Sequence, residues 1–297
     1  MKPSPPSSSW LTRRGWIQAL STVALNLGFI RALDPLKSAG GFCCPVLNCW
    51  ACPGALTSCP IGALQHSAAE ARLLIAAGQG WLTALPFYLV GTLFVFSVTL
   101  GRFMCGWLCP FGWLQDLLGR LGRHKLRLPT WTGYLRYVFL VGLVLIVPYY
   151  TSVQWFSRLC PQGALQGGLL QPLLHPELRH GIGLLWYAKE AMLVGWLVAF
   201  VFMRRPFCRL MCPLGAIFSL FYGVSMLQLR IDPSKCVDCG RCEKLCPAGL
   251  DPRRHLSSHL CVTCLECQSC PRGAITATAV WRKGTTEGTR GVEELAP

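Results

Sequence analysis

Cys236-Val-Asp-Cys239-Gly-Arg-Cys242-Glu-Lys-Leu-Cys246-Pro247 places four thiols within eleven residues. A second run, Cys261-Val-Thr-Cys264-Leu-Glu-Cys267-Gln-Ser-Cys270-Pro271, follows at once. Thiolates at this density suit iron–sulfur clusters, because soft sulfur ligands match iron and four of them close a cubane. In two-cluster ferredoxins the fourth cysteine of each run serves the other run's cluster. That rule gives Cys236, Cys239, Cys242 and Cys270 to one [4Fe-4S] cluster and Cys261, Cys264, Cys267 and Cys246 to a second. The second run has two residues before its last cysteine where the pattern has three, which puts the reach of Cys270 in question. Structural zinc competes poorly, since zinc runs come as separated pairs.

The surrounding chain is not that of a soluble ferredoxin. Of 297 residues, 52% are apolar and 14% charged, against about 25% charged in soluble domains. Four apolar segments have the length of a membrane span: Trp16–Leu33, Trp81–Leu100, Tyr137–Phe156 and Ile182–Met203. With the N-terminus inside, segments 1–15, 101–136 and 203–297 carry 22 of the 28 Lys and Arg residues. This is the positive-inside pattern. It accounts for the +15 net charge without nucleic acid and puts both termini, and the cysteine runs, in the reducing cytoplasm, where lasting disulfides are rare.

The membrane part repeats itself. Cys59-Pro-Ile-Gly-Ala-Leu-Gln65 recurs as Cys160-Pro-Gln-Gly-Ala-Leu-Gln166, and Cys105-x3-Cys109-Pro-x-Gly112 as Cys208-x3-Cys212-Pro-x-Gly215. Each unit is an outer element, a span running inward and an inner element, so the repeat is parallel and its axis lies along the membrane normal. On a helix, cysteines four apart share a face. Two such pairs brought together by symmetry make one four-thiolate site from Cys105, Cys109, Cys208 and Cys212. Stretches 111–118 and 214–221 read as helices in the cytoplasmic interface, begun by Pro110 and Pro213.

The outer loop 40–66 holds Cys43, Cys44, Cys49, Cys52 and Cys59, with Cys160 on the next outer loop. Cys49, Cys52, Cys59 and Cys160 could hold a further cluster; an oxidising exterior would equally allow disulfides. None of the six histidines lies in a span, so no haem is expected. Lys189 and Glu190 are a charged pair in a span, where ions by default suggest function; a quinone or redox-partner site and simple snorkelling both fit.

The inner Cys105-Gly-Trp-Leu-Cys-Pro-Phe-Gly and Cys208-Arg-Leu-Met-Cys-Pro-Leu-Gly motifs, with the double cysteine run, resemble the NapH/MauN group of membrane-bound ferredoxin-type proteins over about residues 80–275. The Cys-Pro-Val-Leu-Asn-Cys49-Trp-Ala-Cys52-Pro segment is similar to a branch of 4Fe-4S-binding membrane proteins and departs from NapH, so a nitrate role is not carried over. The resemblance implies electron transfer between a quinone pool or cytoplasmic donor and a partner redox enzyme.

The sequence thus predicts a cytoplasmic tail (1–15), an all-α four-span membrane domain (16–229) with a parallel two-helix repeat, a small α+β two-cluster ferredoxin-like domain (230–280) and a loose tail (281–297), in the bacterial cytoplasmic membrane. No flavin, haem or molybdenum motif and no paired acid–base constellation is found, which favours an electron-transfer subunit. The alternatives are a self-contained membrane oxidoreductase, as quinol oxidase or terminal reductase, and a redox or metal sensor.

Overall fold

The computed structural model describes residues 13–27, 45–49, 59–78, 80, 85–122, 125–177, 183–256 and 258–279. Cys43, Cys44, Cys52, the tail 281–297 and parts of the first two apolar segments lie outside them.

The chain is mostly helical, with one two-stranded sheet. A helix occupies each apolar segment: Arg13–Leu25, Phe87–Thr99, Thr130–Thr151 and Leu184–Phe202. Thr130–Thr151 and Leu184–Phe202 are long and apolar enough to cross a bilayer, while Phe87–Thr99 is apolar but shorter. The third helix starts at Thr130 rather than Tyr137 and stops where Ser152 turns left-handed, at φ 55°. Outward faces of these helices are apolar, with Leu184 86% exposed and Phe87, Phe94, Val138 and Val194 exposed too. A helix facing water would carry its polar residues there.

Two further helices were not foreseen. Pro60–Ala76 and residues 161–174 follow the outer Cys-Pro elements. The same start is used four times. Cys59, Cys109, Cys160 and Cys212 each cap a helix in extended conformation (ψ 128°, 116°, 121° and 109°), with proline at its first position. Proline disfavours the helical region for the residue before it and needs no N–H partner in a first turn. The Cys-Pro-x-Gly word at 59, 109, 160 and 212 is therefore a fourfold local instruction.

This corrects one expectation. Cys105 and Cys109 do not share a continuous helix: Cys105 sits in Phe103–Trp107, and Cys109 starts Pro110–Gly119. Cys208 and Cys212 are divided likewise between Pro206–Leu210 and Pro213–Leu220. Nor are the first turns after these breaks laid on a surface. Phe111, Gln115, Leu214 and Phe218 are buried, and Phe111 packs edge-on against Phe200 and Phe207.

In the C-terminal module Leu227–Ile231 pairs antiparallel with Ile275–Ala279, from Leu227↔Ala279 to Ile231↔Ile275. Leu229 and Ile275 pack with Leu256 and Cys267. The module is seated on basic residues of the helical part. Arg204 donates to the carbonyls of Glu243 and Cys246 (3.0 and 2.8 Å), and Tyr222 to that of Leu256 (2.7 Å). Arg102 and Arg136 both donate to the His259 carbonyl, at 2.6 and 2.9 Å.

Candidate functional site

Cys236, Cys239, Cys242 and Cys270 line one cavity of the module, together with Cys267. The shortened spacing before Cys270 thus still delivers its side chain to the other three. Cys246 lies with the second run: its charge is felt at Cys261, Cys264 and Cys267. Burial pushes the Cys267 thiol up to about 12, with Cys261 and Cys246 adding to it. The fold thus places Cys270 beside the first run and Cys246 beside the second, with Cys267 and Cys242 close enough to touch both groups.

The inner pairs also converge. Burial pushes the Cys105 thiol up to about 11, opposed by Arg102 and reinforced by Cys208. Burial raises Cys109 to about 12, with Cys208 and Cys105 adding. Cys212 is raised by burial and then by Cys208, Cys105 and Cys109. Burial and mutual repulsion thus work against the charged form of Cys105, Cys109 and Cys212, a cost that a bound metal would offset. Gln115 Nε2 donates to the Cys208 sulfur at 3.1 Å.

Arginine marks the pseudo-symmetry. Arg102 and Arg205 each stand three residues before the first inner cysteine of their copy. Each reaches into the other copy's Cys-Pro-x-Gly turn. A Cβ placed on Gly112 would lie 3.6 Å from Arg205 Nη2, and one on Gly215 would lie 3.5 Å from Arg102 Nη2. Arg205 Nη1 also donates to the Cys105 carbonyl at 3.1 Å. Beyond this exchange the copies differ: Arg102 holds the His259 carbonyl, whereas Arg205 makes a two-point contact with Asp116 at 2.7 and 2.5 Å. Asp116 meets Arg14 at 3.1 Å, and Arg14 meets Glu266 at 2.9 Å, between Cys264 and Cys267. Burial works against the Asp116 charge, but the Arg205 guanidinium outweighs it and holds the carboxyl below its usual range.

The outer set is drawn inward. Val46, Leu47 and Asn48 are buried in the same core as the inner cysteines. The Leu47 peptide N–H faces the Cys109 thiol, and the next N–H, of Asn48, faces Cys59. Cys59 in turn feels Cys160. Gln166 fastens this strap, accepting from the Cys49 N–H (2.7 Å) and donating to Asn48 and Asn26 Oδ1 (2.7 and 2.6 Å). Along the first helix, Gln18 donates to the Gly106 carbonyl while the Leu25 carbonyl accepts from Asn48. Seven residues of helix span about 10 Å. Cys49, Cys59 and Cys160 are thus gathered near the inner set; Cys52 lies outside the described residues. Lys189 faces Cys160 and Gly163, and Glu190 faces Gly168, so both charges point into the protein.

All fifteen cysteines among the described residues are free thiols. No three Cys, His, Asp or Glu side chains among them close on a single metal ion. A tetrahedral zinc with Zn–S bonds of about 2.3 Å needs thiolates within about 4 Å of one another. The donor chemistry, four thiols to a set, is what a cubane takes. The buried arginines fit the same group, since a cubane with four thiolates is net anionic.

The 4Fe-4S binding domain family matches residues 82–129 and 186–230, one segment per copy of the repeat, and a second 4Fe-4S binding domain family matches 229–250. An uncharacterized protein of Methanocaldococcus jannaschii is 34% identical over 203 residues, 64% of this chain and 77% of that protein. The methylamine utilization ferredoxin-type protein MauN of Paracoccus denitrificans is 26% identical over 246 residues, 79% of each chain. The chain belongs to the NapH/MauN-type 4Fe-4S ferredoxin-type family. The regulatory protein NosR of Pseudomonas aeruginosa is 30% identical over 173 residues, 55% of this chain but 23% of its own length. No solved structure matches. These relatives support an iron–sulfur electron-transfer role. Sequence reading missed the Leu47–Asn48 strap and the crossed arginines. The fourfold Cys-Pro-x-Gly word, and arginine three residues before each inner cysteine pair, were the available signals.

Proposed function

We propose that the chain is a membrane-bound iron–sulfur relay that carries electrons between a quinone pool or cytoplasmic donor and a partner redox enzyme. Two [4Fe-4S] clusters belong to the module, on Cys236, Cys239, Cys242 and Cys270 and on Cys261, Cys264, Cys267 and Cys246. A third belongs to Cys105, Cys109, Cys208 and Cys212, and an outer one to Cys49, Cys59 and Cys160 with Cys52. When bound, such clusters supply reversible one-electron transfer.

The observation that carries this reading is the contact of Gly106, inside the first inner motif, with the backbone of Val262 and Cys264. Gly106 lies between Cys105 and Cys109, and Cys264 belongs to the second module set, so the two sets adjoin at this backbone contact. The helical part orients the module through Arg14, Arg102, Arg136 and Arg204, while Phe111, Phe207, Leu214 and Phe218 keep water from the inner thiols. Four spans with both termini cytoplasmic agree with Arg14 meeting Glu266, because the start of the first helix and the module then lie on one side. Lipid covers the exposed apolar faces.

Anaerobic purification with iron and sulfide assay tests the reading. Three or four clusters give about 12–16 iron atoms and matching sulfide; zinc in place of iron overturns it. Purified protein should turn over only with a partner enzyme added, unlike a self-contained quinol oxidase or reductase.

A further inference from the structure

Arg102, Arg136, Arg205 and Arg209 line a cavity with Cys208, closed on the module side by Ala248, Leu260 and Val262. Arg136 is 0% exposed, and Arg102 and Arg205 are each 2% exposed. Buried guanidiniums are costly unless paired. Among the described residues Asp116, on Arg205, is the one carboxylate that meets any of the four. Arg102 Nε, Arg136 Nε and Nη1 and Arg209 Nε are buried without a hydrogen-bond partner. Holding the module does not account for them, since Arg102 and Arg136 spend one N–H each on the His259 carbonyl. Arg102, Arg136 and Arg205 all face Cys105 as well.

We propose that Arg102, Arg136 and Arg205 form a cationic seat for the inner cluster, which sets its midpoint potential above that of the module cluster on Cys236, Cys239, Cys242 and Cys270. This rests on the relay reading. Reduction adds one electron, hence one negative charge, to the inner site, and the guanidiniums, already protonated, answer it without taking up a proton. Cations near Cys236–Cys242 are different: Arg253 is paired with Asp251, Asp238 and Glu243 on the exposed rim of the module, where solvent screens them. Unscreened charge in a low-dielectric interior acts more strongly. Arg102 also acts on Cys261 and Arg205 on Cys264 in the second module set, whereas Arg136 acts on Cys212.

The test is a potentiometric titration, followed by electron paramagnetic resonance, of the full chain purified anaerobically in detergent. Cys105→Ser and Cys208→Ser first identify the inner signal as the one both remove; if they remove none, the relay reading fails and not only this inference. Arg136→Gln, which strands no carboxylate, should then lower the midpoint of that signal and leave the module midpoints in place. Arg136→Lys should restore most of it. Arg205→Gln should act the same way but also frees Asp116, so Arg136 is the deciding position. An unchanged inner midpoint with iron retained overturns the proposal. So does iron loss in Arg136→Gln that Arg136→Lys fails to repair, which would make the arginine structural. An inner midpoint at or below that of the cluster on Cys236, Cys239, Cys242 and Cys270 in the unaltered protein overturns it as well.

Discussion

Gly106 packs on the backbone of Cys264. A methyl group at Gly106 would come within 2.6 Å of the Val262 carbonyl oxygen and 3.2 Å of Cys264 Cα. Neither backbone atom can swing aside as a side-chain tip would, so the seam between helical part and module must open. Gly106→Ala is expected to cost about 1–3 kcal/mol, the usual penalty of overpacking. Magnetic coupling between the inner and second module centres should weaken while total iron stays constant. Full coupling in the variant would show that the two sites communicate by another route.

Asp116 holds two buried arginines, Arg205 and Arg14. Asp116→Asn keeps the shape and removes the charge, and breaking a buried pair in this way costs about 3–5 kcal/mol. Because the folded carboxyl lies below its usual range, its contribution is present above the unfolded value and is lost as pH falls through the folded one. Thermal melts in detergent should show the unaltered protein losing stability at acid pH and Asp116→Asn losing less. Parallel pH profiles would remove Asp116 as the cause.

Cys246 and Cys270 sit at the ends of two different cysteine runs, Cys246 near Cys264 and Cys270 in the cavity of the first run. Cys246→Ser should therefore disturb the signal shared with Cys261, Cys264 and Cys267. Cys270→Ser should disturb the one shared with Cys236, Cys239 and Cys242. Spectra of the two variants with the assignments reversed would mean that each run closes its own cluster.

Topology can be checked independently of metal. Reporter fusions after residues 125 and 285 are expected to read cytoplasmic, and those near 40 and 175 external. An external reading at 285 would separate the module from the compartment that keeps its thiols reduced, and would contradict the positive-inside count.

The sequence alone determined the cysteine chemistry, the repeat and the apolar segments. These are local or periodic properties: a ligand spacing, a Cys-Pro turn or a run of apolar residues states itself within a few neighbours. Tertiary structure decided everything that joins distant residues. Lys and Arg on inner segments counted in the sequence only as topology markers; folding buries Arg102, Arg136 and Arg205 and turns them on thiols of the other copy. Spacing placed Cys105 and Cys109 on one helix face, but Pro110 breaks the helix between them, and the fold reunites their sulfurs with those of Cys208 and Cys212. Loop 40–66 read as an outer loop, yet Leu47 and Asn48 enter the core because their peptide N–H groups find thiols and Gln166 secures Asn48. Charge pairing and backbone hydrogen bonds across tens of residues have no period along the chain, so only the folded molecule shows where they close.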